Sequence, residues 1–85
     1  MDYPVRTPTQ LGQLLKALRM ERKLTQADVA ARMGLLQSKI SALEANPGRT
    51  SVERMFRLLS VLGVELVLRQ RGAAKQRRGP GAPQW

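Results

Sequence analysis

The chain has 85 residues, no cysteine and no histidine, and its 15 Lys and Arg against six Asp and Glu give a formal net charge of +9. This length suits one small domain, and a small secreted protein without disulfides is atypical, so we expect a cytoplasmic location. Without histidine, and with few carboxylates, the composition argues against an enzyme, a metal site or a cofactor, while the positive charge favours a polyanionic partner such as nucleic acid or an anionic surface.

The first predicted helix lies in the stretch "TPTQLGQLLKALRMERK". Thr7, Pro8 and Gln10 match an N-cap, a first-turn proline and the partner residue of a capping box. Leucines then recur at the i, i+3, i+4 and i+7 spacing of a helix with one buried face. These leucines are Leu11, Leu14, Leu15 and Leu18. The pattern predicts an amphipathic helix whose apolar side faces the core.

Two shorter helices are predicted to follow. Thr25 can cap the helix "QADVAARM", Asp28 adds a favourable charge to its first turn, and Gly34 is placed to end it. The third predicted helix is "LQSKISALEA", and it ends at the Asn-Pro-Gly tripeptide of residues 46–48. Proline cannot continue the backbone hydrogen bonding of a helix, so this tripeptide predicts a helix end followed by a loop.

The fourth predicted helix begins with a capping box formed by Thr50 and Glu53. Its apolar face is predicted from residues at helical spacing. These residues are Val52, Met55, Phe56, Leu59 and Leu62. Gly63 is placed to end this helix, because glycine tolerates the left-handed backbone that often follows a last turn.

The period changes after Gly63, where "VELVLRQ" alternates between two faces in the manner of a β-strand. One face of this strand is predicted to hold Val64, Leu66 and Leu68. A single strand in an otherwise helical chain has unpaired backbone groups, so its expected partner is the same strand of a second copy, in a dimer. The alternative is that the fourth helix continues through Gly63.

The second and third helices together show a helix-turn-helix pattern. Counted from Gln26, apolar residues occupy the fourth, eighth, tenth, fifteenth and eighteenth places, a small residue the fifth, and a glycine the ninth. Two helices that cross steeply need a small residue where they touch, and the tight turn between them needs a glycine. The residues that carry this pattern are Val29, Ala30, Met33, Gly34, Leu35, Ile40 and Leu43.

Residues 8 to 62 resemble the Cro/C1-type (XRE) helix-turn-helix family, and four further matching residues are Thr25, Gln26, Ser41 and Glu44. The resemblance implies an all-α fold, with a compact four-helix domain that is followed here by the C-terminal β-strand that pairs across a dimer. It also implies sequence-specific binding to double-stranded DNA. In this family an arginine of the first helix commonly pairs with the glutamate that closes the third, which implies a structural ion pair between Arg19 and Glu44.

The same resemblance assigns base reading to the start of the third helix and phosphate contacts to the ends of neighbouring elements. The base-reading residues are Leu36, Gln37, Ser38 and Ser41. The phosphate-contacting residues are Gln26, Lys39, Arg49, Thr50 and Ser51. Gln37 can form two hydrogen bonds with adenine N6 and N7. Leu36 stands where many relatives have a polar residue, and it offers only an apolar contact, for instance to a thymine methyl group.

The layout narrows the resemblance to the HipB-type antitoxins, through the "PTQL" opening of the first helix, the XRE motif, the Asn-Pro helix end, the terminal strand and a tail ending in tryptophan. The resemblance implies a dimeric, nucleoid-associated repressor of its own operon that also neutralises a HipA-type serine/threonine kinase toxin. The alternatives are a stand-alone XRE-family repressor without a toxin partner, a nonspecific architectural DNA-binding protein and a protein-binding helical bundle.

We divide the chain into a DNA-binding and dimerisation domain over residues 1–69 and a basic tail over residues 70–85. The stretch "RGAAKQRRGPGAPQW" has too few apolar residues to form a core, so we expect it to be flexible in isolation. Trp85 is expected to anchor a partner protein, because tryptophan is enriched among the residues that dominate binding energies. The alternative for Trp85 is an inert exposed position.

Overall fold

Residues 2–71 are described in the computed structural model, and they form four α-helices joined by short connections. The helices are α1 (Pro8–Glu21), α2 (Gln26–Met33), α3 (Gln37–Ala45) and α4 (Val52–Leu62), with a single 3₁₀ turn at Pro47–Arg49. The predicted all-α, four-helix class is confirmed for this part of the chain. The basic tail beyond residue 71, with Trp85, lies outside the described residues, so the predicted domain boundary at residue 69 stays a prediction.

One hydrophobic core joins the four helices, and every helix contributes to it. The buried apolar residues are Leu15, Leu18, Val29, Ala30, Met33, Ile40, Leu43, Leu58, Leu59 and Leu62. Burying a side chain as large as leucine or isoleucine contributes about 1.5–3 kcal/mol, so this set is the main source of stability in so short a chain. Within this core α1 packs against α3 and α4 packs against α2, so both helices of the helix-turn-helix unit are supported.

The N-termini of α1 and α2 are fixed by side-chain caps. The Thr7 hydroxyl oxygen accepts a hydrogen bond of 3.1 Å from the Gln10 backbone N–H, as predicted. The Gln10 side chain, however, accepts from the backbone N–H of Arg6 at 2.7 Å, so the return bond of the predicted capping box goes to the residue before the cap. At α2, Thr25 and Asp28 form the complete reciprocal box, with bonds of 3.0 and 2.8 Å.

The end of α3 is pressed against α1. A Cβ atom placed on Gly12 of α1 would meet the Glu44 carbonyl oxygen and lie 3.2 Å from Cγ of Pro47, so only glycine fits this approach. Pro47 is buried here, and α3 ends at Ala45. The predicted helix end at the Asn-Pro-Gly tripeptide is confirmed, and the proline also packs the end of α3 onto the first helix.

The start and the buried face of α4 differ from the prediction. The N-cap is Ser51 rather than Thr50, because the Ser51 hydroxyl oxygen accepts from the backbone N–H of Arg54 at 3.0 Å. Val52 and Phe56 were predicted in the core but are 71% and 48% exposed. Leu58, which was not predicted, is buried instead. Apolar residues of α4 lie on more than one side of the helix, and the sequence pattern does not show which side meets α2.

The fourth helix ends at Leu62, with Gly63 as its C-cap. This residue has a left-handed backbone, with φ of 72°, and the backbone N–H of Val64 bonds back to the Leu59 carbonyl, so the alternative of a continuous fourth helix is wrong. Residues 64–70 form neither helix nor strand in the single chain. Val64 packs against the core, whereas Leu66 and Leu68 are exposed. The predicted strand needs the same strand of a second copy as its partner, and the structure describes a single chain. The strand therefore stays a prediction.

Candidate DNA-binding surface

The turn between α2 and α3 has the geometry that the helix-turn-helix pattern requires. Gly34 ends α2 with a left-handed backbone, φ 71°, and the Leu35 backbone N–H donates to the Ala30 carbonyl at 2.9 Å. Ala30 is buried in the core, where a small residue leaves room for close packing. The sequence-predicted turn is confirmed, and α3 begins shortly after it, at Gln37.

A nearly buried ion pair links the end of α3 to α1. Arg19 Nε lies 2.6 Å from Glu44 Oε2, and Arg19 Nη2 donates to Glu44 Oε1 at 3.2 Å. The accessible fractions of the two side chains are only 10% and 7%. A third donor of the guanidinium, Nη1, bonds the Leu24 carbonyl at 2.8 Å. The pairing inferred from the family resemblance is confirmed, and its two parallel bonds fix the orientation of α3 relative to α1.

Two glutamines extend this ion pair toward the outer surface of α3. Gln26 Nε2 donates to Glu44 Oε1 at 3.1 Å, and Gln37 Nε2 donates to Gln26 Oε1 at 3.4 Å. The base-reading candidate Gln37 is exposed, but one end of its amide is already held by this chain of bonds. Gln26 retains a second amide N–H for a phosphate contact. Sequence reasoning assigned Gln26 to phosphate and missed its bonds to Glu44 and Gln37.

The remaining predicted base-reading residues share one outward-facing helix. Leu36, Ser38 and Ser41 are all exposed at or within α3, and so is the predicted phosphate contact Lys39. Ile40 and Leu43 of the same helix are buried. The helix therefore divides into a buried apolar side and a polar side that is available to a ligand, as the prediction required.

The predicted phosphate contacts between α3 and α4 differ in accessibility. Arg49 and Ser51 are exposed, and Ser51 still has its hydroxyl hydrogen to donate after capping α4. Thr50 presents no accessible donor, because its hydroxyl group, although it has no hydrogen-bond partner, is buried, and its backbone N–H bonds the Pro47 carbonyl at 3.1 Å. A phosphate contact from Thr50 stays a prediction that requires rearrangement on binding.

Electrostatic contacts also brace the ends of α2. Hydrogen bonds from the Thr25 backbone and hydroxyl group hold the pKa of Asp28 below its usual range, so this carboxylate stays charged at the positive end of the helix. At the other end, Arg57 Nη2 of α4 donates to the Met33 carbonyl at 2.6 Å. Arg57 was not predicted as a functional or structural residue. Every helix leaves unpaired carbonyl groups at its C-terminus, so a donor such as Arg57 could have been sought for the end of α2.

Within residues 2–71, no group of three or more His, Cys, Asp or Glu side chains is arranged to hold a metal ion. None of the helices found there combines the length and the apolar character needed to cross a membrane.

Comparison with known proteins identifies the family of this chain. The family model HTH_3, described as helix-turn-helix, matches residues 15–68. Over 62 residues the chain is 36% identical to Antitoxin HipB of Escherichia coli O6:H1 (strain CFT073) and 34% identical to Antitoxin HipB of Escherichia coli (strain K12). These matches cover 73% of this chain, with 66% of the first antitoxin and 70% of the second. The chain belongs to the HipB-type helix-turn-helix family.

Solved structures of HipB have the same fold. The chain superimposes on HipB in a HipB–O1–O2 complex with a TM-score of 0.75 and 30% identity, covering 81% of this chain and 100% of that one. HipB in a complex with an O4 20mer gives a TM-score of 0.75 and 30% identity over 81% and 97% of the two chains. HipB in a HipA–HipB–O2–O3 complex gives 0.75 and 30%, over 81% and 97%. The four-helix arrangement is therefore that of HipB.

Proposed function

We propose that this chain is the antitoxin of a HipBA-type toxin–antitoxin system, a dimeric repressor that binds its own operator and neutralises a HipA-like serine/threonine kinase. The observation that carries the DNA-binding part is the exposed Gln37, which is held through Gln26 onto the buried Arg19–Glu44 pair. A formal charge of +9 supports a nucleic acid partner, because Lys and Arg release counterions from DNA phosphates. The HipB complexes with O1, O2 and an O4 20mer support the same partner.

In this proposal α3 lies in the major groove and the ends of α2 and α4 contact phosphates. Gln37 reads an adenine through its amide, while Ser38 and Ser41 contact neighbouring base edges. Gln26 and Ser51 occupy the first turn or the N-cap of their helices, where backbone N–H groups and the helix dipole favour an anionic phosphate. Lys39, Arg49 and Thr50 supply the remaining predicted phosphate contacts. These contacts set the position of α3, and the α3 side chains then supply specificity.

The proposed dimer is built on residues 64–68 of two copies. Leu66 and Leu68 are exposed in the single chain, and the backbone of this segment has no ladder partner within residues 2–71. Pairing the predicted strand with its copy satisfies those backbone groups and covers both leucines. A two-fold dimer requires an operator whose half-sites are related by the same symmetry, so we expect a pseudo-palindrome with half-sites about 34–36 Å, or a multiple of that, apart.

The kinase partner is proposed from the similarity of this chain to HipB and from the predicted role of the tail. HipB is found with HipA in the HipA–HipB–O2–O3 complex, which supports a HipA-like partner for this chain. Trp85 is the residue we assign to that contact, as an anchor side chain. The proposal gives the chain itself no reaction and no cofactor, and it implies a cytoplasmic, nucleoid-associated location because that is where the operator lies.

Two alanine variants test the DNA-binding assignment together. We expect Gln37→Ala to weaken binding to the operator by about 1–3 kcal/mol and to relax the preference at one base pair, because a bidentate base contact is lost. We expect Arg49→Ala to weaken binding equally on all sequences and to reduce the salt slope by about one, because a phosphate contact is lost. Titrations of operator and scrambled duplexes at several salt concentrations measure both effects.

Each variant serves as the control for the other. An equal loss on operator and scrambled DNA for Gln37→Ala contradicts its base-reading role. A sequence-selective loss for Arg49→Ala moves that residue from phosphate to base contact. If the wild-type protein binds no duplex from the region upstream of its own gene, the repressor function is wrong.

A further inference from the structure

Leu36 differs from the N-cap residues of the other α-helices in the described part of the chain. It is the N-cap of α3 and is 70% exposed, and no side-chain hydrogen bond caps the helix there. The other three α-helices of the described chain are capped by the hydroxyl groups of Thr7, Thr25 and Ser51. The α3 helix thus begins without the side-chain acceptor that its neighbours have.

Leucine at this position destabilises the free chain relative to serine or threonine. The N-cap position strongly favours a side-chain oxygen, and leucine is among the least favourable residues there. An exposed leucine also gains little from burial in the single chain. Residues that violate a local preference without a gain in packing are expected at functional positions. Leu36 fits that description, and it is exposed at the start of α3, the helix that we assign to DNA.

The surroundings of Leu36 restrict what it can bind. It directly precedes Gln37, whose amide is held by Gln26, and both side chains are exposed at the N-terminal end of α3. The base edges in the major groove present hydrogen-bond donors and acceptors, together with one apolar group, the C5 methyl of thymine. Leucine can neither donate nor accept a hydrogen bond, so the methyl group is the feature of the groove that matches it.

We infer that Leu36 recognises the C5 methyl group of a pyrimidine in the operator, an inference that rests on the proposed DNA-binding function. The contact distinguishes thymine from uracil, which lacks only this methyl group. A 5-methylcytosine carries its methyl group on the same ring atom and therefore satisfies Leu36 as well. Operator affinity then depends on cytosine methylation wherever a cytosine stands opposite Leu36.

The test uses operator duplexes in which one thymine at a time is replaced by deoxyuridine. We expect one position in each half-site at which the full-length protein loses about fourfold in affinity, the factor that corresponds to one buried methyl group. At that position a second pair of duplexes carries cytosine or 5-methylcytosine. We expect the methylated duplex to bind about fourfold more tightly than the unmethylated one. Equilibrium titrations by fluorescence anisotropy measure these ratios.

Three variants separate methyl recognition from the stability of α3. Leu36→Ser removes the apolar contact and restores a cap, so we expect it to abolish the uracil effect while raising Tm by roughly 4–8 °C. Leu36→Ala removes the contact without supplying a cap and abolishes the uracil effect without that rise in Tm. Leu36→Met keeps an apolar side chain of similar size and retains the methyl preference.

Two results overturn the inference and leave the proposed function intact. The first is a wild-type protein that binds every deoxyuridine duplex as tightly as the parent operator. The second is a uracil effect of unchanged size in Leu36→Ser, which assigns the methyl contact to another residue. A protein that binds no upstream duplex at all overturns the proposed function together with the inference, whereas a normal operator complex that is insensitive to methyl groups overturns the inference alone.

Discussion

At the scale of single residues, the Arg19–Glu44 pair sets how firmly α3 is held. Both side chains are at least nine-tenths buried, so removing one partner leaves the other as an uncompensated charge in the interior. We expect Glu44→Gln to lower the free energy of unfolding by about 3 kcal/mol, as measured by urea denaturation. The same variant should also weaken operator binding, because Gln26 donates to this carboxylate and Gln37 is held through Gln26.

Matched variants distinguish this loss from a general effect of charge. The double variant Arg19→Met/Glu44→Leu removes both charges, so we expect it to be destabilised less than Glu44→Gln, as apolar replacements of buried pairs often are. Arg32→Met removes an exposed arginine of α2 and should change stability by no more than about 0.5 kcal/mol. A Glu44→Gln protein as stable as Arg32→Met contradicts a supporting role for the pair.

The contacts between residues near the proposed DNA-binding surface could be predicted from the sequence to different degrees. The Arg19–Glu44 pair could be inferred from the family resemblance, because both positions match its pattern. The bonds that join Gln26 to Glu44 and to Gln37 could not, because sequence spacing fixes which residues are neighbours but not which rotamers they adopt. Thr50 illustrates the same limit, since its hydroxyl is buried while that of the adjacent Ser51 caps α4.

At the scale of the helices, Arg57 joins α4 to the end of α2. Its guanidinium donates to the Met33 carbonyl at 2.6 Å, next to the turn that precedes α3. A hydrogen bond from a charged donor contributes about 1.5–3 kcal/mol when it is buried, and the exposure of Arg57 lowers this. We expect Arg57→Met to lower the unfolding free energy by about 1 kcal/mol and Tm by roughly 4–8 °C in thermal denaturation.

The control for Arg57 is the conservative substitution Arg57→Lys, which retains a charged donor on a side chain of similar length. We expect it to recover part of the lost stability. If Arg57→Met and Arg57→Lys both unfold at the wild-type temperature, the bond to the Met33 carbonyl contributes nothing to stability.

The sequence predicted a helix boundary correctly where only one residue could serve as the cap. The prediction was wrong where two adjacent residues could. Thr25 and Gly34 bound α2 as predicted, because no neighbouring residue competes with either of them. At α4, two adjacent hydroxyl residues compete for the N-cap position, and the 3₁₀ turn that ends at Arg49 leaves Ser51 as the cap. The buried face of α4 depends on contacts with α2, so its periodicity alone placed Val52 and Phe56 wrongly in the core.

At the scale of the whole molecule, the proposed dimer is built on residues 64–68. We expect Leu66→Pro to yield monomers that bind half-sites weakly, because proline removes a backbone donor from the proposed intermolecular ladder. Leu66→Ala keeps that backbone N–H and is the control for losing the side chain alone. Light scattering measures the mass of each variant. A Leu66→Pro protein with unchanged dimer mass removes the segment from the interface.

The tail over residues 70–85 is the segment we propose for the kinase contact, and its removal separates that contact from DNA binding. Truncation after Arg71 leaves every residue of the described core and of the proposed DNA surface in place, so folding and the preference for operator over altered operator should survive. Three cations, Lys75, Arg77 and Arg78, are lost with the tail, and losing any contact they make with phosphates lowers the salt dependence of DNA binding. The ranking of operators should not change, because phosphate contacts carry no sequence information.

Binding of the proposed HipA-like kinase is the property expected to respond to the tail. A buried tryptophan anchor contributes about 2 kcal/mol or more, so Trp85→Ala alone should weaken the kinase complex by roughly thirtyfold in calorimetry while operator binding is retained. The control is Gln84→Ala, a neighbouring polar residue that should have little effect. Full-strength kinase binding by the protein truncated after Arg71 places the kinase contact on the helical domain, and failure of the intact protein to bind any co-encoded kinase leaves a repressor without a toxin partner.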